Sequence, residues 1–222
     1  NCEHVKDFNK ADFKLKPVRV EDFGGLIFVN LDPEAVPLAA QAPDLLEGLQ
    51  HWCPDLPNLK FSQRATWDIK CNWKTAIENF SECYHCSVAH PAFVEFVDMK
   101  TYSVSTRGIW NVQVSRTGAT EKSPYDYNSA DGRIPEYIAI YLWPNHTLWI
   151  MPGSGNIGML YMLPTGPQTC REVMDFYFLD PQPTPAEAES IAYLRDVLQP
   201  EDIGLCERVQ KGLRSRSYTA GR

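Results

Sequence analysis

The residues most able to do chemistry lie in one segment, Asn72-Trp-Lys-Thr-Ala-Ile-Glu-Asn-Phe-Ser-Glu-Cys-Tyr-His-Cys-Ser-Val-Ala-His-Pro91, which carries Glu82, His85 and His90 within nine positions. Imidazole is the commonest protein ligand for a transition metal. Two of the chain's five histidines fall here, with a carboxylate three residues before the first. That grouping points to a metal site; ordinary surface or core histidines are the alternative. On a regular helix each residue turns about 100°, so His85 and His90 stand about 140° apart and converge poorly. His90 precedes Pro91, which places it where a helix ends and lets the chain bend it back toward His85.

The elements around this segment follow from periodicity. Trp73, Ala76, Ile77, Phe80 and Tyr84 recur at helical spacing with Pro91 as a stop, which predicts a helix of roughly 15 residues. Before it, Gly24-Gly25 separates two β-type runs, and Leu26 to Leu31 and Phe61 to Asp68 read as strands. A short helix is expected near Asp44 to Gln50. After it come strand-like runs at about Tyr102 to Ser115, Tyr137 to Met151, Gly158 to Leu163 and Glu172 to Leu179. Short Gly- and Pro-bearing links between the later runs favour antiparallel neighbours. Residues 117–134 are polar and read as a loop. Thr184-Pro185-Ala186-Glu187 opens a late helix as cap, first turn and capping box, and Pro200 interrupts it before a second helical pattern through Ile203, Cys206, Val209 and Leu213. The expected class is α+β, an antiparallel sheet with helices packed on it.

Composition narrows the function. The 222 residues are 44% hydrophobic and 22% charged, which suits one full globular domain. The net charge of -7 and the lack of a basic stripe argue against nucleic acid. No run of 18 apolar residues and no signal peptide is visible. The seven cysteines are odd in number and irregular in spacing, so a reducing cytoplasmic setting without disulfide staples is expected. Cys83-x-x-Cys86 has the form of a redox or zinc pair but lacks a partner pair.

Asn72-Trp73-Lys74, Glu78-Asn79-Phe80 and Tyr84-His85-x4-His90 resemble the iron-binding segment in the catalytic subunit of Rieske non-haem iron oxygenases. The resemblance runs from Pro17-Val18-Arg19 to the end of the chain, and it implies the helix-grip type of α+β domain. It also implies a third ligand, an Asp on a late helix, for which Gln199 to Leu213 is the matching stretch and Asp202 the ligand, with Glu201 beside it as a decoy. Mononuclear Fe(II) held on one face by His85, His90 and Asp202 keeps positions free for dioxygen. Asn79 and Glu82 are the implied catalytic residues. In the family the carboxylate at the position of Glu82 bridges to a cluster-binding histidine of a neighbouring subunit, which requires a ring of subunits, usually a homotrimer. Glu in that place, the surrounding Glu82-Cys83-Tyr84-His85-Cys86, and Gln210-Lys211-Gly212-Leu213-Arg214-Ser215-Arg216 look like the subgroup acting on quaternary ammonium compounds.

One departure bears on the domains. A Rieske 2Fe-2S cluster takes a Cys-x-His and a later Cys-x-x-His. Cys2-Glu3-His4 and Cys83-Tyr84-His85 match only the first half by form. Residues 1–33 are therefore expected to be the return from a cluster domain that lies outside this sequence. Residues 34–222 are expected to be the catalytic iron domain, cut short at its C-terminus. Electrons would come from NAD(P)H through a flavin- or ferredoxin-type reductase.

A quaternary nitrogen has no lone pair, so the expected attack is on the C–H bond of an attached methyl, giving a carbinol that loses formaldehyde; a carnitine-type enzyme would instead cleave the C–N bond. Stachydrine, glycine betaine and carnitine are the implied substrate class. Aromatic faces hold such a cation well. Tyr141 to Trp149 is the candidate wall, with Trp149, Trp143, Tyr161 and Tyr177 as candidate substrate-binding residues. His146 stands either at a turn or as donor to a substrate carboxylate, the turn being preferred. An aromatic-ring dioxygenase subunit and a non-catalytic binding domain on the same fold are the competing readings.

Overall fold

Alternation between two cores organises the chain. The structure, a computed structural model, describes residues 4–118, 123–125 and 134–219. Strands β1 (Arg19–Phe23) and β2 (Leu26–Asn30) form a small antiparallel hairpin. Helices α1 (Leu38–Gln41) and α2 (Leu45–Trp52) lead to β3 (Lys60–Ile69), then to α3 (Trp73–Phe80) and α4 (Cys86–Ala89). Strands β4 (Ser103–Arg107), β5 (Trp110–Arg116), β6 (Glu136–Leu142), β7 (His146–Ile150), β8 (Asn156–Gly166) and β9 (Thr169–Phe178) follow, and α5 (Pro185–Tyr193) and α6 (Gln199–Leu213) close the order. The main sheet runs β3-β9-β8-β7-β6-β5-β4, every pair antiparallel. This is the α+β architecture that the pattern predicts.

Side chains alternate across a strand, so each strand feeds both cores. Ile138, Ile140, Leu148, Ile150, Ile157 and Met159 face a core closed by α2 and Phe23 of the hairpin. Ala139, Trp149, Leu160, Met162, Met174 and Phe176 face the other, closed by Ala76 and Ile77 of α3 and by residues of α5 and α6. The metal candidates lie on this second side.

Three expectations change in the details. The predicted strands Tyr102 to Ser115 and Tyr137 to Met151 are each a hairpin, turning at Gly108 (φ 56°) and at Trp143-Pro144-Asn145. The helix expected to run unbroken from Asn72 stops at Ser81, whose hydroxyl donates to Ile77 O at 2.7 Å. Pro200 does not interrupt the late helix: a π-helical segment at Leu194–Leu198 joins α5 to α6, and Gln199 N–H bonds back five residues to Leu194 O. Proline has no N–H to offer the preceding turn, and the wider turn just before it accommodates that loss. The capping box at Thr184 is present as expected, with its hydroxyl accepting from Glu187 N–H and the Glu187 carboxylate accepting from Thr184 N–H. Most of the loop expected at 117–134 lies outside the described residues.

Candidate metal centre

Asn72 starts the site. Its side-chain oxygen accepts from Lys74 N–H at 2.9 Å and caps α3, while its own N–H donates to Gln210 Oε1 of α6 at 2.7 Å. The cap thus fixes where α3 begins and also ties it to α6. Past Ser81 the chain is irregular to His85, and the single turn of α4 separates the two histidines: His85 precedes it and His90 ends it at φ -123°, ψ 69°. That break solves the convergence problem that a continuous helix poses. The two imidazoles stand edge to face with centroids 5.0 Å apart.

Asp202 reaches them from the first turn of α6. Its Oδ1 lies 3.0 Å from His90 Nε2 and 3.4 Å from His85 Nε2, and Asn79 Nδ2 donates to the same oxygen at 2.6 Å. The other face of each ring is also held. Glu82 Oε1 is 2.6 Å from His85 Nδ1, and Glu201 Oε2 is 2.8 Å from His90 Nδ1. Carboxylates on Nδ1 orient both rings so that Nε2 points inward, the usual support of metal-bound histidine. Glu201, expected only as a decoy beside Asp202, therefore has a place of its own behind His90.

Burial and pairing set the charges. Burial pulls the pKa of each histidine down, but its hydrogen bonds to Asp202, with Glu82 at His85 and Glu201 at His90, outweigh it and leave both raised. Burial likewise pushes Asp202 up, and the hydrogen bonds from His85, His90 and Asn79 leave it below the ordinary carboxylate range. The cluster is thus an imidazolium–carboxylate arrangement when its nitrogens keep their protons.

The donor set fits a metal ion. Ligand atoms about 2.1 Å from a metal and at right angles to each other lie about 3 Å apart, close to both nitrogen–oxygen distances here. Cys86 is a competing donor, since His85, Cys86 and His90 offer atoms within 4.8 Å of one another. Its sulfur, however, is bonded to Cys83, so it is no thiolate and Asp202 remains the anionic donor. That bond also corrects the expectation of a chain without disulfides; Cys53, Cys71, Cys170 and Cys206 are free and buried.

A cavity of about 90 Å³ opens beside the cluster, walled by Phe80, Tyr102, Tyr137, Trp149, Met174 and Glu172 among others. The candidate aromatic cage does not assemble there. Trp149 lines the cavity, but Tyr161 and Tyr177 belong to the opposite core, because they are odd-numbered on strands whose even-numbered residues face the histidines. Trp143 sits in the β6–β7 turn, 56% exposed, beside Trp73. His146 opens β7 right after that turn; its ring packs against Phe28 and Tyr161 on the far side, and burial lowers its pKa to about 4.

Glu172 was not anticipated. It is 3% exposed, its Oε2 accepts from Gln199 Nε2, and burial first, then Cys170 and Asp202, push its pKa well above the carboxylate range. A signal existed: an acidic residue at the even, core-facing positions of Cys170-x-Glu172-x-Met174-x-Phe176-x-Phe178. Buried polar groups in apolar stripes are the informative exceptions.

The antiparallel sheet and α6 thus enclose two histidines, and Asp202 of α6 completes a donor set that could share one metal ion. The catalytic-domain model of ring-hydroxylating alpha subunits matches residues 56–222, and the chain belongs to that family. Within it, the chain is similar to quaternary-ammonium Rieske oxygenases. It is 35% identical over 218 residues to the carnitine monooxygenase oxygenase subunit of Escherichia coli (strain K12), covering 98% of this chain and 58% of that protein. It is 27% identical to the chloroplastic choline monooxygenase of Beta vulgaris, over 98% of this chain and 48% of that one. The crystal structure of the quaternary ammonium Rieske monooxygenase CntA with L-carnitine superposes with a TM-score of 0.84 at 32% identity, covering 98% of this chain and 57% of that chain. Naphthalene 1,2-dioxygenase from Rhodococcus sp., at 18% identity and a TM-score of 0.74 over 96% of this chain and 58% of that one, shares the fold. The chain spans under three-fifths of the length of these relatives. Among the described residues no helix is long and apolar enough to cross a membrane.

Proposed function

We propose that this chain is the catalytic part of an oxygenase component that oxidises a small quaternary ammonium compound with dioxygen. The observation that carries the reading is the convergence of His85 Nε2 and His90 Nε2 on one oxygen of Asp202, with carboxylates behind both rings. These three residues would hold a mononuclear Fe(II). Two imidazoles and one carboxylate on one face leave open positions, and the bound ion supplies dioxygen activation there.

The chain's own residues do the rest. Asn79 holds Asp202 in place, Glu82 and Glu201 fix the imidazole orientations, and the apolar walls from Phe80, Met174 and Trp149 keep bulk water from the reacting methyl group. Glu82 is only half buried, with its side chain 44% exposed. It is therefore available to a partner's cluster-binding histidine as well as to His85. In this reading the protein is a cytoplasmic homotrimer whose Rieske 2Fe-2S cluster, on a domain outside this sequence, is reduced by a flavin- or ferredoxin-type reductase using NAD(P)H. Residues 1–33 are the return from that domain and residues 34–222 the catalytic domain. The carnitine and choline names of the relatives support the substrate class.

The test is made on the full-length protein. Iron content is measured before and after His85→Ala, and product is sought from carnitine, glycine betaine, stachydrine and choline as formaldehyde or trimethylamine. Iron bound by the wild type and lost from the variant, with a C–N or N-methyl product, supports the reading. Full iron retention by the variant rejects the ligand set, and a cis-diol from an arene with no product from the four amines rejects the substrate class.

A further inference from the structure

The cavity beside the histidines contains one carboxyl group for which the metal centre has no use. Asp202 is engaged by His85, His90 and Asn79, while Glu82 and Glu201 are engaged by the Nδ1 atoms behind the rings. Glu172 lines the same cavity from β9, nearly fully buried. Gln199, three residues before Asp202 on the same side of α6, donates a hydrogen bond to it. Among the described residues no lysine, arginine or histidine pairs with Glu172. A carboxyl group taken out of water without a cation is unfavourable, and an apolar residue would satisfy the stripe it stands in. Its presence asks for a partner that arrives from outside.

Trp149 forms another wall of the cavity. Its indole lies against the backbone of Gly158, where a Cβ would come within 2.1 Å of Cε2, and Phe176 packs edge-on at 6.2 Å. The aromatic wall is thus held in place by the bare glycine backbone behind it.

Resting on the reading proposed above, we propose that Glu172 selects for positive charge: its carboxylate and the Trp149 ring together receive the quaternary ammonium head of the substrate beside His85, His90 and Asp202. A nitrogen bearing four carbons has no N–H to donate. Only charge and π faces can recognise it, and both act strongly where water is excluded. A neutral molecule of the same shape would leave Glu172 protonated and uncharged, whereas an entering cation favours release of that proton to solvent and pairs with the carboxylate, which is how the site rejects an isostere. Gln199 is a positioning residue that fixes the carboxyl group without supplying charge.

The experiment uses the full-length, iron-loaded protein. Carnitine, glycine betaine and choline are titrated in a calorimeter, each beside the analogue in which a tert-butyl group replaces the trimethylammonium group. The wild type is expected to prefer the cation by about tenfold or more. Glu172→Gln and the similarly sized Glu172→Met are expected to lose that preference while keeping their iron, with KM rising more than kcat falls. A variant that keeps both its iron and the wild-type preference overturns the inference. Loss of iron from both variants also overturns it, by making Glu172 a support of the metal centre. If the wild type binds none of the three cations, the reading of the function fails and this inference fails with it.

Discussion

Replacing Gly158 with alanine is the most direct way to disturb the cavity without touching a candidate ligand. The added Cβ would stand 2.1 Å from Trp149 Cε2, 2.2 Å from Cζ2 and 2.5 Å from Nε1, where ordinary contact begins at 3.4 Å. The indole must therefore retreat by about 1.3 Å, against Phe176 or into the cavity, since the pairing of Trp149 with Gly158 holds both backbones. Overpacking of this kind costs about 1–3 kcal/mol, and in a chain of this size that lowers the melting temperature by about 2–12 °C. Thermal unfolding followed by circular dichroism reads the stability, and substrate affinity reads the wall. Trp149→Phe in the same background removes the wider ring, so the double variant is expected to recover about 1 kcal/mol or more relative to the sum of the single changes. A Gly158→Ala protein that melts within a degree of the wild type, with unchanged affinity, would refute the reasoning.

Other outcomes follow from the same geometry. Glu201→Ala frees His90 Nδ1, and metal affinity is expected to fall about 10- to 100-fold in a chelator competition. Arg64 pairs through two hydrogen bonds with Asp175, whose side chain is 1% exposed; because the Arg64 side chain is itself 58% exposed, Arg64→Ala is expected to cost about 1–3 kcal/mol in urea unfolding, less than a fully buried pair. Glu172 keeps its proton in the folded state well above the ordinary 4.5, so unfolding releases it and wild-type stability declines as pH rises through that window. Glu172→Gln removes the decline: without substrate, its stability relative to wild type is expected to be smallest near about pH 4 and to grow toward about pH 8, and a flat difference would contradict the burial argument.

What could be read in the sequence depended on the range of the interaction. Strand positions followed from alternation, and Thr184 announced its helix, because both are local patterns. The break at Ser81 was hidden because its residues continue the helical spacing, while the chain turns there to bring His85 and His90 together. The aromatic cage failed for a non-local reason. Tyr161 and Tyr177 share a strand environment with Trp149, but which face each takes depends on the register between neighbouring strands. Asp202 was reached through family resemblance, since nothing local separates it from Glu201; in the structure each carboxylate takes a different nitrogen of His90.

The π-helical segment at Leu194–Leu198 also bears on how this domain can change over evolutionary time. Each helical residue advances the direction of all later ones by about 100°. A π turn spreads about 4.4 residues over a full rotation, so these five residues cover nearly the angle that four cover in ordinary winding. Losing one of them and returning to ordinary winding would leave α6 facing the same way, with Asp202 still toward the histidines, whereas the same loss within the regular winding of α5 would turn α6 by about 100°. Leu194–Leu198 is thus a stretch where the domain can gain or lose a residue and keep its metal geometry.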